Sequence, residues 1–166
     1  MRLVVCLVLL LGCAADPPHP AAVTRPGVLA EIEASRDLDG RLVGASDGPT
    51  IVIVFASWCE HCKEELVELD SIRSHHVRML GVSYRGHEEY DHRGNSVAVR
   101  AFADRTPWLR VVPIDDAIYT SLGSPPQIPT MYLFDRTGAL VETYDRHVRK
   151  PPSRDELVGA LARLGA

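Results

Sequence analysis

One stretch constrains the fold more than any other. An apolar run from Thr50 to Phe55 is followed almost at once by Trp58, Cys59, Glu60, His61 and Cys62. The run is short, rich in β-branched residues and free of polar side chains in its interior, so it reads as a strand buried on both faces. Beyond the cysteines, Lys63 to Ser74 places Leu66, Leu69, Ile72 and Arg73 at helical spacing, with Glu64, Glu65, Glu68 and Asp70 between them. Strand, cysteine pair, helix is the order that thiol–disulfide chemistry requires. The strand delivers Cys59 to the sheet edge, and a helix start offers unpaired N–H groups and the positive end of a dipole to a thiolate. Such surroundings lower a thiol pKa and make the first cysteine a nucleophile near neutral pH. Cys62 lies about one helical turn on, within reach for an intramolecular disulfide.

The chain has 166 residues, room for one domain with a real core and some extra sequence. A net charge of -4 without any Lys/Arg cluster leaves no electrostatic footprint for nucleic acid. Its four cysteines are Cys6, Cys13, Cys59 and Cys62. The first two sit in a leader: Met1 and Arg2 open onto an apolar stretch from Leu3 to Leu11, too short to span a bilayer but suited to the core of an export signal. Leu10-Leu11-Gly12-Cys13 resembles the bacterial lipobox, which implies cleavage after residue 12 and lipid on Cys13. The alternative is a plain cleavable signal in which Cys13 is incidental. Several acyl chains on one cysteine anchor a protein stably. Ala14 stands where aspartate commonly retains a lipoprotein in the inner membrane. In a diderm bacterium the protein is therefore expected to be exported, lipid-anchored and periplasm-facing, with the outer membrane favoured over the inner. Residues 13–27, with Pro17, Pro18, Pro20 and Pro26, read as a semi-extended tether, and 28–166 as the folded domain. After processing, Cys59 and Cys62 are the two remaining thiols, and an exported chain that keeps a single Cys-x-x-Cys is a redox candidate.

Within the domain, Val28 to Arg36 reads as a short helix, Asp37 to Gly40 as a turn and Arg41 to Gly44 as a short edge strand. Val77 to Ser83 is a second buried strand, joined to the first through the helix as a right-handed βαβ unit. Tyr84 to Ser96 is polar and histidine-bearing. Val97, Val99, Phe102 and Ala103 predict a helix, Trp108 to Ile114 a third strand, and Asp115 to Gly123 a short helix stopped by glycine. Ser124 to Pro129 is a constrained loop. Thr130 to Phe134 and Ala139 to Tyr144 form a hairpin around Asp135 to Gly138. Ser153 and Glu156 make a capping box for a last helix with Leu157, Leu161 and Leu164 on one face.

From Thr50 onward the chain resembles the thioredoxin superfamily, and within it the exported, membrane-tethered TlpA/ResA-like branch. The marks are Phe55-Ala-Ser-Trp-Cys59, the Cys59-Glu-His-Cys62 pair, Ile128-Pro129-Thr130 and the hairpin from Leu133 to Gly138. Zinc also uses Cys-x-x-Cys, but it normally requires a second pair of ligands, and no second cysteine pair exists. The resemblance implies an α/β thioredoxin-like fold, a central mixed β-sheet flanked by helices. It implies a cis Ile128–Pro129 bond against the cysteines, whose exposed backbone holds an extended substrate segment by strand-like hydrogen bonds. Cys59 and Cys62 are then catalytic, and Trp58, Ile128, Pro129 and Thr130 contact substrate.

The departures from the pattern concern tuning. His61 stands where many relatives have proline, and it favours the Cys59 thiolate and a more oxidising disulfide. Glu60 pulls the other way. Ile53 replaces the buried acidic or amide residue of the strand, so a proton acceptor for Cys62 must come from elsewhere. Glu65 matches a recurrent glutamate of the branch; its alternative is a solvated helix face. Thr130 replaces the glutamate that the cytochrome-maturation subgroup usually carries after its proline. His75, His76, His87, Glu88, Glu89 and His92 fit no metal-ligand spacing, so no metal is expected. Trp108, Tyr84 and Phe102 read as core or near-core aromatics. No NADPH or flavin fingerprint is present, so the only redox group expected is the Cys59–Cys62 disulfide, exchanging electrons with a membrane redox partner and with protein thiols or disulfides. The rival is an exported thioredoxin-fold binding module whose disulfide is structural.

Overall fold

The structure, a computed structural model, describes residues 24–145 and 151–165. The expected signal segment 1–12, Cys13 and the part of the expected tether up to residue 23 lie outside the described residues. Residues 24–27, expected as tether, are bonded to the domain: Arg25 N–H donates to the Ser121 carbonyl at 2.7 Å. Among the described residues no helix is long and apolar enough to cross a membrane.

Among the described residues five strands form one mixed sheet: β1 (Thr50–Phe55), β2 (Arg78–Tyr84), β3 (Arg110–Ile114), β4 (Thr130–Phe134) and β5 (Leu140–Tyr144). Their order is β3-β2-β1-β4-β5. β2 and β3 run parallel to β1, while β4 lies antiparallel to β1 and β5 antiparallel to β4. The central strand β1 is buried along its whole length, as its composition predicts. Its alternation divides the core. Ile51, Ile53 and Phe55 pack with Leu66, Leu69, Phe102, Leu157 and Leu161 on one face, and Val52 and Val54 with Leu29, Ile32 and Leu122 on the other. The first face is covered by α2 (Glu60–Ser71), α4 (Ser96–Arg105) and α6 (Arg154–Arg163), the second by α1 (Val28–Glu33) and α5 (Asp116–Ser121). Pro113, which lacks an N–H, sits in β3 at the sheet edge, where that loss costs least.

Several local signals act as the sequence predicts. The Ser153–Glu156 capping box opens α6. Asp135 Oδ1 accepts the Thr137 and Ala139 N–H groups at 2.8 and 3.0 Å, and Gly138 takes φ +80°, closing the β4–β5 hairpin. Other expectations are corrected. Arg41 to Gly44 is not an edge strand; it contributes one isolated bridge, Arg36 to Leu42. The physical reason is Arg110, whose guanidinium takes the Val43 and Leu42 carbonyls at 2.9 and 2.7 Å, so side-chain donors replace a ladder. The helix expected from Val97, Val99, Phe102 and Ala103 is present as α4, which buries Val99 and Phe102 and leaves Val97 exposed. The polar stretch after β2, for which the sequence predicts no element, is structured. It forms the single-turn helix α3 (Arg85–Glu88) and a 3-10 turn (Tyr90–His92), with Asp91 and His92 at positive φ.

Candidate active site

β1 ends at Phe55, and the chain turns at once: Cys59 N–H donates to the Ala56 carbonyl at 3.1 Å, with Ser57 and Trp58 at the corner. Cys59 is the N-cap of α2, which begins at Glu60 rather than at Lys63 and stops at Ser71. The earlier start follows from the sulfur itself, because Cys59 Sγ accepts the Cys62 N–H at 3.2 Å and satisfies one of the free donors of the first turn. The two cysteines are joined as a disulfide with Cα atoms 5.2 Å apart. Cys59 retains 4% exposure and Cys62 none, so Cys59 is the sulfur that solvent reaches.

The opposite wall is the loop before β4. The Ile128–Pro129 bond is cis, and the Ile128 carbonyl oxygen lies 3.9 Å from Cys59 Sγ. Ile128 is half-buried, while Pro129 and Thr130 are buried; Thr130 Oγ1 donates to the Gln127 carbonyl at 2.8 Å. Trp58 is half-buried beside the cysteines. Its indole N–H donates to the Glu88 carbonyl at 2.9 Å, Tyr90 stacks on it at 6.5 Å, and the Arg93 guanidinium sits 4.9 Å from its ring centre.

The residues expected to tune the couple occupy two environments. Glu60 and His61 are exposed and engaged within α2: Lys63 Nζ lies 2.6 Å from Glu60, and His61 Nδ1 lies 3.0 Å from Glu64. Glu65 is not on a solvated face; it is 6% exposed, one turn beyond Cys62 on the buried stripe of the helix. The spacing contained that signal, since Glu65 falls three residues after Cys62 and four before Leu69. A cavity of about 580 Å³ opens beside it, lined also by Glu64, Glu68, Pro151, Pro152, Ser153 and Glu156. Ile53 is buried in the apolar core, so the strand places no acid behind the disulfide at that position.

Sequence reasoning missed Glu88. It is 2% exposed, and its carboxylate takes the Ser57 N–H at 2.8 Å and the Ser57 hydroxyl. No periodicity marks it; the available hint is Gly94, where any Cβ would collide with the Glu88 carboxylate and lie 2.9 Å from its carbonyl oxygen. The neighbouring His87 turns the other way, its Nε2 lying 3.0 Å from the Pro125 carbonyl and 3.1 Å from the Tyr119 hydroxyl. Burial depresses the His87 pKa, against a smaller opposing effect of the Pro125 carbonyl. Adjacent in sequence, His87 and Glu88 thus diverge rather than converge. Among the described residues no group of three or more His, Cys, Asp or Glu could hold a metal ion.

No family model matches the chain, and no curated protein matches it by sequence. Solved structures do match. A secreted disulfide oxidoreductase of Mycobacterium tuberculosis, homologous to E. coli DsbE, is 18% identical with a TM-score of 0.59, over 78% of this chain and 93% of that one. MTB dsbF, in mixed oxidised and reduced forms, is 21% identical with a TM-score of 0.62, over 85% and 99%. The exposed lipoprotein thioredoxin of Streptococcus pneumoniae is 19% identical with a TM-score of 0.59, over 78% and 96%. With its five-stranded mixed sheet and flanking helices, the chain has a thioredoxin-like fold.

Proposed function

We propose that the protein is an extracytoplasmic thiol–disulfide oxidoreductase that reduces or oxidises protein disulfides through Cys59 and Cys62. The observation that carries this reading is the placement of Cys59: at a helix N-terminus, its sulfur facing the Cys62 N–H and lying beside the Ile128 carbonyl. In the reducing direction the Cys59 thiolate attacks a substrate disulfide, forming a mixed disulfide and expelling one substrate thiolate. The Cys62 thiolate then attacks Cys59 Sγ and expels the second. Two electrons pass to the substrate, two protons complete its thiols, and Cys59–Cys62 is left oxidised. Oxidation of a dithiol is the same path reversed. Trp58, Ile128, Pro129 and Thr130 form the substrate rim, Glu65 takes the proton of Cys62, and Glu60 and His61 tune the couple.

The basic start and apolar stretch from Met1 to Leu11 and the lipobox-like Leu10 to Cys13 support a location outside the cytoplasm on a lipid anchor, the outer membrane favoured in a diderm cell. A membrane redox partner supplies or removes electrons. The secreted oxidoreductase and the exposed lipoprotein thioredoxin among the similar structures support the location. The test is a pair of variants. Cys59→Ser abolishes turnover and Cys62→Ser accumulates mixed disulfides with substrate; equal activity in the two contradicts the mechanism.

A further inference from the structure

Three hydrogen bonds converge on the turn that presents Cys59, and all three come from one residue. The turn from Ala56 to Cys59 has two corner residues, Ser57 and Trp58. Glu88 holds the first through its carboxylate, which accepts both the N–H and the hydroxyl of Ser57. It holds the second through its carbonyl, which accepts the Trp58 indole N–H. Four-residue turns of this kind have few internal restraints, so their orientation follows from what grips the corner. Here the grip is buried, where an unmatched polar group is costly and a matched one is correspondingly rigid. The same short helix reaches the opposite wall, since His87 lies against the Pro125 carbonyl in the loop that leads to Ile128 and Pro129.

We propose that Glu88 is a positioning residue for thiol–disulfide exchange: it locks the Ser57–Trp58 corner and so aims Cys59 Sγ at the Cys62 N–H and at incoming substrate. This rests on the oxidoreductase reading. Loss of the carboxylate leaves both Ser57 donors unmatched, the corner rotates, and the Cys62 N–H no longer meets the sulfur that it stabilises as a thiolate. Glutamine preserves the lock. Its carbonyl oxygen accepts the Ser57 N–H, and the Ser57 hydroxyl, which can donate or accept, accepts a hydrogen bond from the new amide N–H.

The test uses the full-length protein and its Glu88→Ala, Glu88→Gln and Ser57→Ala variants. Two quantities are followed per folded molecule: kcat/KM for reduction of a protein disulfide, and the pH profile of Cys59 alkylation by iodoacetamide. Glu88→Ala loses roughly tenfold in kcat/KM, the size expected from about one net hydrogen bond of lost positioning. Glu88→Gln stays within about threefold of wild type by the same conversion. Ser57→Ala, which keeps the carboxylate but loses one donor, moves the alkylation midpoint to higher pH; a role confined to stability leaves that midpoint in place. Wild-type kcat/KM in folded Glu88→Ala overturns the proposal. Should that variant not fold, a wild-type alkylation profile in Ser57→Ala overturns it instead. A wild-type protein with no disulfide turnover overturns the oxidoreductase reading, and the positioning role with it.

Discussion

Adding one methyl group at Gly94 should disturb the active-site turn without touching either cysteine. A Cβ there would lie 2.9 Å from both the Glu88 carboxyl carbon and its carbonyl oxygen, closer than real Cβ atoms approach. The flexible end of a long side chain could yield, but this carboxylate is buried and fixed by Ser57. Forcing a methyl into such a site costs about 1–3 kcal/mol in overpacking. Moving the carboxylate off Ser57 adds about 1–3 kcal/mol for buried donors left unmatched. Gly94→Ala is therefore expected to lose roughly 3 kcal/mol of stability, a fall in Tm on the order of 10 °C. Urea unfolding followed by circular dichroism measures the loss, and indole fluorescence reports whether Trp58 has shifted with the turn. A loss under about 0.5 kcal/mol, the range of ordinary surface substitutions, would refute the packing of Gly94 on Glu88 and the lock built on it.

Two further outcomes follow from the site. His61→Pro should make the couple more reducing by roughly 30 mV if His61 has the proposed role of favouring the Cys59 thiolate, since the second position of a helix tolerates proline; an unchanged potential removes that role from His61. His87 has its pKa depressed by burial, so below about pH 6.5 the unfolded chain binds a proton that the folded chain resists. The stability it contributes is whole above the unfolded pKa and is lost as the pH falls through the depressed one. His87→Gln should accordingly flatten the decline of Tm between neutral and mildly acidic pH, and parallel declines in the two proteins contradict this.

What could be read in the sequence was what local pattern encodes. The β1 run, the cysteine pair, the hairpin from Asp135 to Gly138 and the Ser153 cap each carry their own physics within a few residues. Glu65 was readable in part: its spacing from Cys62 and Leu69 puts it on the buried stripe, yet a run of glutamates conceals one buried member among exposed ones. Glu88 was not readable, because its partners Ser57 and Trp58 lie about thirty residues away and only the packing of α3 on the turn joins them. Arg41 to Gly44 fails as a strand for the same kind of reason, since the guanidinium that takes its carbonyls comes from β3. Contacts made by a distant side chain leave no period in the chain that receives them.

The reduction potential of the Cys59–Cys62 pair in the full-length protein, set by equilibration with glutathione or dithiothreitol, tests the central claim most directly. An exchanging disulfide falls between about -120 mV, the level of a strong oxidant, and about -270 mV, the level of a thioredoxin-type reductant, and where it falls gives the direction of electron flow. The account predicts a value in that interval. A potential well below about -300 mV marks a structural disulfide and contradicts it.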